Sequence, residues 1–382
     1  MVLNLIHVLD LLVIFVSLLF AGFLLLSNSV NYRSNALMGM YLVLNSIDAG
    51  QPFILNYIFP KHPGFGMLLS TTVFFKAPLI YLYILSIIHS DFKLCGKHWL
   101  HTLPFLAAVL VLVPRFYSVD FDAKWVFLRS ANMENIFEMR FSYLLIHLVV
   151  ISYLIASFLA IRRYKHLLLE NYSSASLMNY RWLFQLVSII ALATVISSLK
   201  NVAMFLSFAE PHYYLMLLTS IVELGFISWI VIKALQDPEL FKGIDSSLQL
   251  VKDISDENEE RGSLDPEARG LLERIDNFMK KEEPYLHSSL TVVELAEMLD
   301  MESQTLSVLI NRGLNKHFFD FVNGYRIEKA KQMLLDPRTR RSTVLEILYQ
   351  VGFNSKSSFN TAFKKYTHTT PTAYRKQNLE QA

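Results

Sequence analysis

The chain has 382 residues, of which 53% are hydrophobic and 18% charged, with a formal net charge of +2 and a mean hydropathy of +0.35. That is the composition of a membrane protein, and the length permits two or three domains. The single cysteine, Cys95, excludes an intramolecular disulfide framework.

Charge is unevenly spread. Residues 1–235 hold 15 Lys and Arg against 10 Asp and Glu, residues 236–289 hold 7 against 14, and residues 290–382 hold 13 against 9. An apolar region, an acidic connector and a basic tail follow from this. The first residues, MVLNLIHVLD, have no basic n-region, and the apolar run to Leu26 is long enough to span, so no cleaved signal peptide is expected.

A hydrocarbon core of about 30 Å needs about 20 apolar residues in a helix. Seven stretches meet or approach this, at about 2–26, 36–59, 67–88, 99–113, 141–161, 183–206 and 213–234. An odd number puts the two ends of the region on opposite sides. One set of intervening loops carries Arg33, Lys93, Lys97, Arg162, Arg163, Lys165 and Arg181, with Lys233 and Lys242 after the last stretch. The other set carries Lys61, Arg115, Lys124, Arg129 and Arg140. Nine positive residues against five predict that the first set is cytoplasmic, with the N-terminus outside and the C-terminus inside. Cys95 then lies in a cytoplasmic loop, where a thiol stays reduced.

Asp48, Lys76, Lys200 and Glu223 fall within these stretches, where an unpaired charge costs ~3 kcal/mol or more. They suit either a polar pocket open to a ligand or proton, or a structural ion-pair network between helices. Pro78, two residues after Lys76, predicts a kink. The loop 115–140 contains Phe116, Tyr117, Phe121, Trp125 and Phe127, which suits a lid over an apolar ligand or an interfacial aromatic belt.

The connector, DENEERGSLDPEARG, is acidic and poor in apolar residues, and is expected to be flexible. Asp265, Pro266 and Glu267 then form a helix-start signal. Leu271, Leu272, Ile275, Phe278 and Met279 follow at helical spacing. The helix, at about 266–282, suits packing on the terminal domain or pairing with its copy in another chain.

In the tail, TVVELAEML predicts a short helix with Val293, Ala296 and Leu299 inward and a capping box if Thr291 is the N-cap. Asp300 stands at a tight turn, and ESQTLSVLINR forms a second helix anchored by Leu306, Leu309 and Ile310. This is a helix-turn-helix pattern, whose second helix enters the major groove. The design recurs in STVLEILYQVGFNSKSSFNTAFKKY, with Leu345, Ile347 and Leu348 on one helix and Gly352 at the turn. Phe359, Ala362 and Phe363 face inward on the next helix. HFFDFVNGYRIEKAKQMLLD links the two units. The fold class read from the sequence is therefore all-α. It comprises a seven-transmembrane helical bundle over 1–235, an acidic linker over 236–284 and a two-unit helix-turn-helix DNA-binding domain over 285–382.

With YRIEKAKQMLLD and VGFNSKSSFNTAFKKYTHTTPTAYRK in order, residues from about 285 to 376 resemble the DNA-binding domain of the AraC/XylS family of bacterial transcription regulators. Asp300 and His368 stand where that family usually has Gly, and Leu348 where it often has Ala; Asp tolerates the left-handed conformation. The resemblance implies two recognition helices in adjacent major grooves of double-stranded promoter DNA. Gln304, Ser307, Asn311 and Arg312 would lie on the outer face of the first. Lys356, Ser357, Asn360, Thr361 and Lys364 would lie on that of the second. Gln and Asn pair with adenine and Lys reaches guanine, while Lys364, Lys365, Arg326 and Arg375 are expected at phosphates. The family's habits also imply an activator and a homodimer.

Two functions fit. One is a regulator embedded in the bacterial cytoplasmic membrane, whose apolar region senses a small-molecule or lipid ligand. The other is a membrane transporter or receptor whose tail acts through protein contacts. No metal-ligand cluster, phosphate-binding Gly loop or nucleophile–base motif is present in the sequence, so no enzyme, metal or cofactor is expected.

Overall fold

The structure is a computed structural model that describes residues 4–26, 32–89, 92–129, 136–173, 177–206, 208–236, 266–339 and 342–379. Every regular element among them is helical. The contacts divide the chain into two compact units. One comprises Met1–Arg162 and Met178–Asp245, the other Arg163–Leu177 and Ser246–Ala382. The acidic stretch before Pro266, including Asp265, lies outside the described residues.

The first unit begins with α1 (Leu5–Leu26) and α2 (Tyr32–Ala49), followed by the single turn α3 (Gln51–Phe53) and a wider π-type turn to Ile58. Next come α4 (Pro63–Thr71) and α5 (Lys76–Ile88), joined by a 3-10 turn over Thr72–Phe75. That tightened turn carries Phe74, whose carbonyl the missing N–H of Pro78 leaves without its helical partner, so the expected irregularity sits one turn before the proline. Then follow α6 (Leu103–Leu112), α7 (Phe121–Leu128), α8 (Phe137–Asn171), α9 (Leu177–Phe205) and α10 (Ala209–Gln236). α1 packs against α2 and α10, and α2 against α5.

Six helical stretches among the described residues are long and apolar enough to cross a membrane: Leu5–Leu26, Pro63–Ile88, Gly96–Tyr117, Phe137–Asn171, Tyr180–Phe205 and Glu210–Gln236. The expected span at 36–59 is not among them. Its α2 carries Ser34, Asn35, Asn45, Ser46 and Asp48, which dilute its apolar character. The aromatic loop divides: Phe116 and Phe127 are buried beside Ile54, Met67 and Leu112, while Phe121 is exposed. Part of it is thus core, a role outside the two expected.

The second unit contains α11 (Pro266–Glu282), α12 (Val292–Met298), α13 (Ser303–Val308), α14 (Phe318–Leu335), α15 (Val344–Gln350), α16 (Lys356–Thr367) and α17 (Pro371–Leu379). Two cores form. In the first, Ile275 and Met279 of α11 join Leu295, Ala296, Leu306, Ile310 and Phe318. The amphipathic helix at 266–282 therefore packs within its own unit. In the second, Ile327, Ala330 and Leu334 of α14 meet Ile347, Leu348, Phe359 and Phe363. α14 serves both cores because its 18 residues span about 27 Å, long enough to bury one end in each. Val292 is buried in α12 and Val293 is exposed, which reverses the expected inward valine.

Candidate DNA-binding face and polar cavity

The two halves of the second unit are built alike. Thr291 caps α12 by accepting from the backbone N–H of Glu294, whose carboxylate accepts from the Thr291 N–H at 2.8 Å. Thr343 and Glu346 repeat this reciprocal pair at α15, with a carboxylate contact of 2.6 Å. Each box satisfies two orphan donors of a helix of only 7 residues. The Thr343 backbone donor is the main reason that the Glu346 carboxyl lies below the usual carboxylate range.

The turns that follow are left-handed. Asp300 has φ 53° and Gly352 φ 88°. A Cβ at Gly352 would stand 2.6 Å from the Tyr285 carbonyl oxygen and 2.8 Å from that of Leu286. Glycine is required there on both counts. His368, at φ 59°, ends α16 in the same conformation, so this turn closes as a glycine turn would.

α13, prolonged by a π-type turn to Gly313, is the second helix of the first pair, and α16 is that of the second. On α13, Gln304 and Arg312 are exposed. Ser307 is buried, a correction to its expected outward position: it follows Leu306 into the core side of a short helix. Asn311 is half-buried and donates from Nδ2 to the Ser307 carbonyl at 3.2 Å. On α16, Lys356, Ser357, Thr361, Lys364 and Lys365 are exposed and Asn360 is half-buried. Lys356 and Lys364 make no ion pair among the described residues, whereas Lys365 Nζ is 2.6 Å from Asp320 Oδ1.

Of the two arginines expected at phosphates, Arg326 is held inside the protein and Arg375 is half-buried. Arg326 is fully buried. Its Nε donates to the Tyr285 carbonyl at 2.7 Å and its Nη2 to that of His287 at 2.8 Å. Nη1 donates to the Ser173 carbonyl and Nη2 to Ser173 Oγ, both at 3.1 Å. Burial pulls its pKa down to about 10, so the charge persists at neutral pH and strengthens each bond. Arg375 donates from Nη1 to the Ser342 carbonyl at 2.9 Å, and its Nε and Nη2 are shut off from solvent. Ser173 carried no signal in the sequence, since it acts on a residue 153 positions away.

The first unit encloses a cavity of about 680 Å³. Asp48, Lys76, Lys200 and Glu223 all line it. Lys76 Nζ is 2.6 Å from Asp48 Oδ2, so the ion-pair reading holds for these two. Lys200 and Glu223 make no ion pair among the described residues, and the four do not form one closed network. Asp10 also lines the cavity and accepts from Ser220 Oγ at 2.8 Å. The sequence reading missed it, although an acid inside an apolar run is the same signal that marked Asp48. His147 approaches Ser198 Oγ at 3.3 Å and Asn201 Nδ2 at 3.1 Å.

With this geometry in view, comparison with known proteins defines the second unit. The family described as "Helix-turn-helix domain" matches residues 295–377, and this part of the chain is an AraC-type helix-turn-helix domain. An uncharacterised HTH-type transcriptional regulator of Staphylococcus aureus strain COL is 38% identical over 93 residues, covering 24% of this chain and 12% of that protein. The uncharacterised HTH-type transcriptional regulator YdeC of Bacillus subtilis is 34% identical over 96 residues, covering 25% of this chain and 32% of YdeC. The chain thus spans about an eighth of the length of the staphylococcal relatives and a third of YdeC. Among solved structures, the C-terminal domain of the two-component response regulator yesN from Fusobacterium nucleatum is 38% identical, covering 28% of this chain and 98% of that one, with a TM-score of 0.25. The similarity to transcription regulators supports DNA-binding regulation by the C-terminal domain.

Proposed function

We propose that the protein is a bacterial transcription regulator embedded in the cytoplasmic membrane, which binds promoter DNA through its C-terminal domain and senses a signal through its apolar region. The observation that carries this is the joining, in one chain, of an AraC-type helix-turn-helix domain to six stretches able to cross a membrane. Leu144, Leu148, Ile151, Ile155 and Leu159 on α8 are exposed at helical spacing. Such an apolar stripe is costly in water and at home in lipid.

We count α2 as a seventh span. With α3 and the turn to Ile58 it forms a nearly continuous 27-residue path, about 40 Å of helix. Ser34, Asn35, Asn45 and Ser46 are among its buried residues and the helix packs against α1 and α5, so these polar side chains need not meet lipid. Seven spans put the two ends on opposite sides, and the bias of the positive loops supports an outside N-terminus and a DNA-binding domain in the cytoplasm. In this reading Gln304, Asn311 and Arg312 on α13 and Lys356, Ser357, Asn360, Thr361 and Lys364 on α16 face DNA. Asp48, Lys76, Lys200 and Glu223 belong to the sensing pocket. A homodimer is proposed on the family's habit.

Phosphatase fused to the C-terminus tests the topology, since periplasmic activity contradicts it. Gel shifts with the full-length protein in nanodiscs test the function. Sequence-preferring binding that weakens with salt is expected; its absence favours a transporter or receptor with a protein-binding tail.

A further inference from the structure

α8 is one unbroken helix of 35 residues, yet the chain divides within it. Residues up to Arg162 belong to the first unit and Arg163–Leu177 to the second, and from Met178 the chain is again in the first. The apolar stretch of α8 ends near Ile161, and residues 162–171 carry the helix about 15 Å further. A short segment between two apolar helices is therefore part of the unit that holds the helix-turn-helix pairs.

The end of this segment is seated by specific bonds. Ser173 is fully buried. Its N–H donates to the Leu290 carbonyl at 3.0 Å, and Tyr172 forms an antiparallel bridge with Thr291, the cap of α12. The Ser173 carbonyl accepts from Arg326 Nη1 at 3.1 Å and from Asn323 Nδ2 at 3.3 Å. Its hydroxyl accepts from Arg326 Nη2 at 3.1 Å. Further back on the helix, the His166 ring lies 6.0 Å from that of His317, the N-cap of α14.

The seat is polar. Neither apolar core of the unit includes a described residue of 163–177. Withdrawal of Ser173 leaves Arg326 bonded to Tyr285, His287 and Asn323 and opens no apolar core. Hydrogen bonds lost to water are largely replaced there, whereas buried apolar surface is not. The segment can thus leave its seat while both cores persist. What it touches is the start of α12 and the middle of α14, and these elements position α13 relative to α16.

We propose that the 163–177 segment is the input through which α8 acts on DNA binding. Seated at Leu290 and Arg326, it holds the DNA-binding form; a shift or turn of α8 displaces Ser173 and weakens that form. A continuous helix is a rigid element that delivers displacement from one end to the other, and Ser173 stands two residues past its end. The regulatory consequence rests on the proposed function, whereas the seating of the segment does not.

The test uses full-length protein in nanodiscs of phosphatidylethanolamine and phosphatidylglycerol, and a duplex selected from a random pool against the unaltered protein. One or two alanines are inserted between Arg162 and Arg163, each turning the helix beyond by about 100°. A Gly-Ser-Gly-Ser insertion at the same place supplies slack instead of rotation and shows whether the site tolerates added residues. The alanine variants are expected to bind the duplex roughly tenfold more weakly, the equivalent of one lost bond to a charged group, and the flexible variant to bind as the unaltered protein does. Seating is read separately, by maleimide labelling of Ser173→Cys in a Cys95→Ser background, since Cys95 is the one native thiol. Labelling is expected to be slow without an insertion, faster with alanines and slow with the flexible insertion. Labelling that stays slow in the alanine variants, DNA affinity that is unchanged or tighter in them, or equal loss in the stiff and flexible variants overturns the proposal. Failure of the unaltered protein to enrich any duplex overturns the DNA-binding reading instead, and is seen before any insertion is made.

Discussion

Ser173 holds Arg326 at both ends of its guanidinium fork, accepting from Nη1 with its carbonyl and from Nη2 with its hydroxyl, each at 3.1 Å. The residue comes from the short segment between α8 and α9, yet it belongs to the same compact unit as the helix-turn-helix pairs. The Ser173 N–H donates to the Leu290 carbonyl at 3.0 Å, directly before the cap of α12. Arg326 thereby ties α14, the turn at Tyr285–His287 and the 163–177 segment to one buried charge.

Removing that charge strands several acceptors. Arg326→Met is expected to destabilise the second unit by about 3–5 kcal/mol, the range for breaking buried charged contacts. Arg326→Lys is expected to recover little, because an ammonium cannot reach four acceptors in a planar fork. Ser173→Ala deletes one charge-assisted bond and is expected to cost about 1.5–3 kcal/mol. Urea unfolding of the full-length protein, followed by limited proteolysis within 266–379, measures all three.

Gly352→Ala is expected to be among the most damaging single-methyl changes. It combines an unfavourable φ of 88° with a Cβ placed 2.6 Å from a backbone carbonyl. Left-handed strain of about 1–2 kcal/mol and overpacking of about 1–3 kcal/mol lead to a loss of roughly 2–5 kcal/mol. Asp300→Gly, at a turn of the same hand, is expected to be neutral or mildly stabilising. Parallel melting curves of the two variants check the contrast.

On DNA, the exposed residues are expected to separate by role. Gln304→Ala should cost about 1–3 kcal/mol and relax preference at one base position. Lys364→Ala should weaken binding to all sequences and reduce the salt slope by about one. Ser307→Ala should do neither, since that side chain is buried. Binding titrations at several salt concentrations, on a site and its single-base variants, distinguish these outcomes.

Acid should weaken the second unit in two stages. His317 is held below its ordinary 6.5 by burial and then by His166, with Lys365 acting the same way and Asp320 opposing them. The unfolded chain therefore takes up this proton first, and stability falls as pH drops below about 6.5. Asp276 is held below its ordinary 3.8, chiefly by Lys280 and then Tyr325. Glu283 is held below 4.5 chiefly by Lys329. The stability that these carboxylates contribute is present above their unfolded values and lost as pH falls through 4.5 and below. His317→Gln is expected to remove the first stage and keep the second, as read from melting temperature against pH.

Much of this was legible in the order of residues. The repeated helix–turn–helix spacing, the capping box at Thr291, the left-handed turn at Asp300 and the inward faces of α13 and α16 depend on neighbours within a few positions; the second box, at Thr343 and Glu346, is equally local but was not read from the sequence. The apolar stretches depend only on composition over about 20 residues. Six of the seven expected stretches are long and apolar enough to cross a membrane; α2 is not among them, because its polar residues dilute its apolarity, and its packing against α1 and α5 is not written in its own composition.

What needed the tertiary structure was every relation across long separations. Arg326 looks like a surface cation in YRIEKAKQ, and only the arrival of Ser173 and the carbonyls at Tyr285 and His287 makes it a buried strut. Ser307 and Val293 show the limit at short range, where one residue of helical phase decides between surface and core. The pairing of Lys76 with Asp48 and the joining of Asp10 to Glu223 around one cavity follow from which helices become neighbours. Local sequence sets backbone preference through short-range sterics and capping, while partners for buried charge are chosen by three-dimensional proximity, which periodicity does not encode.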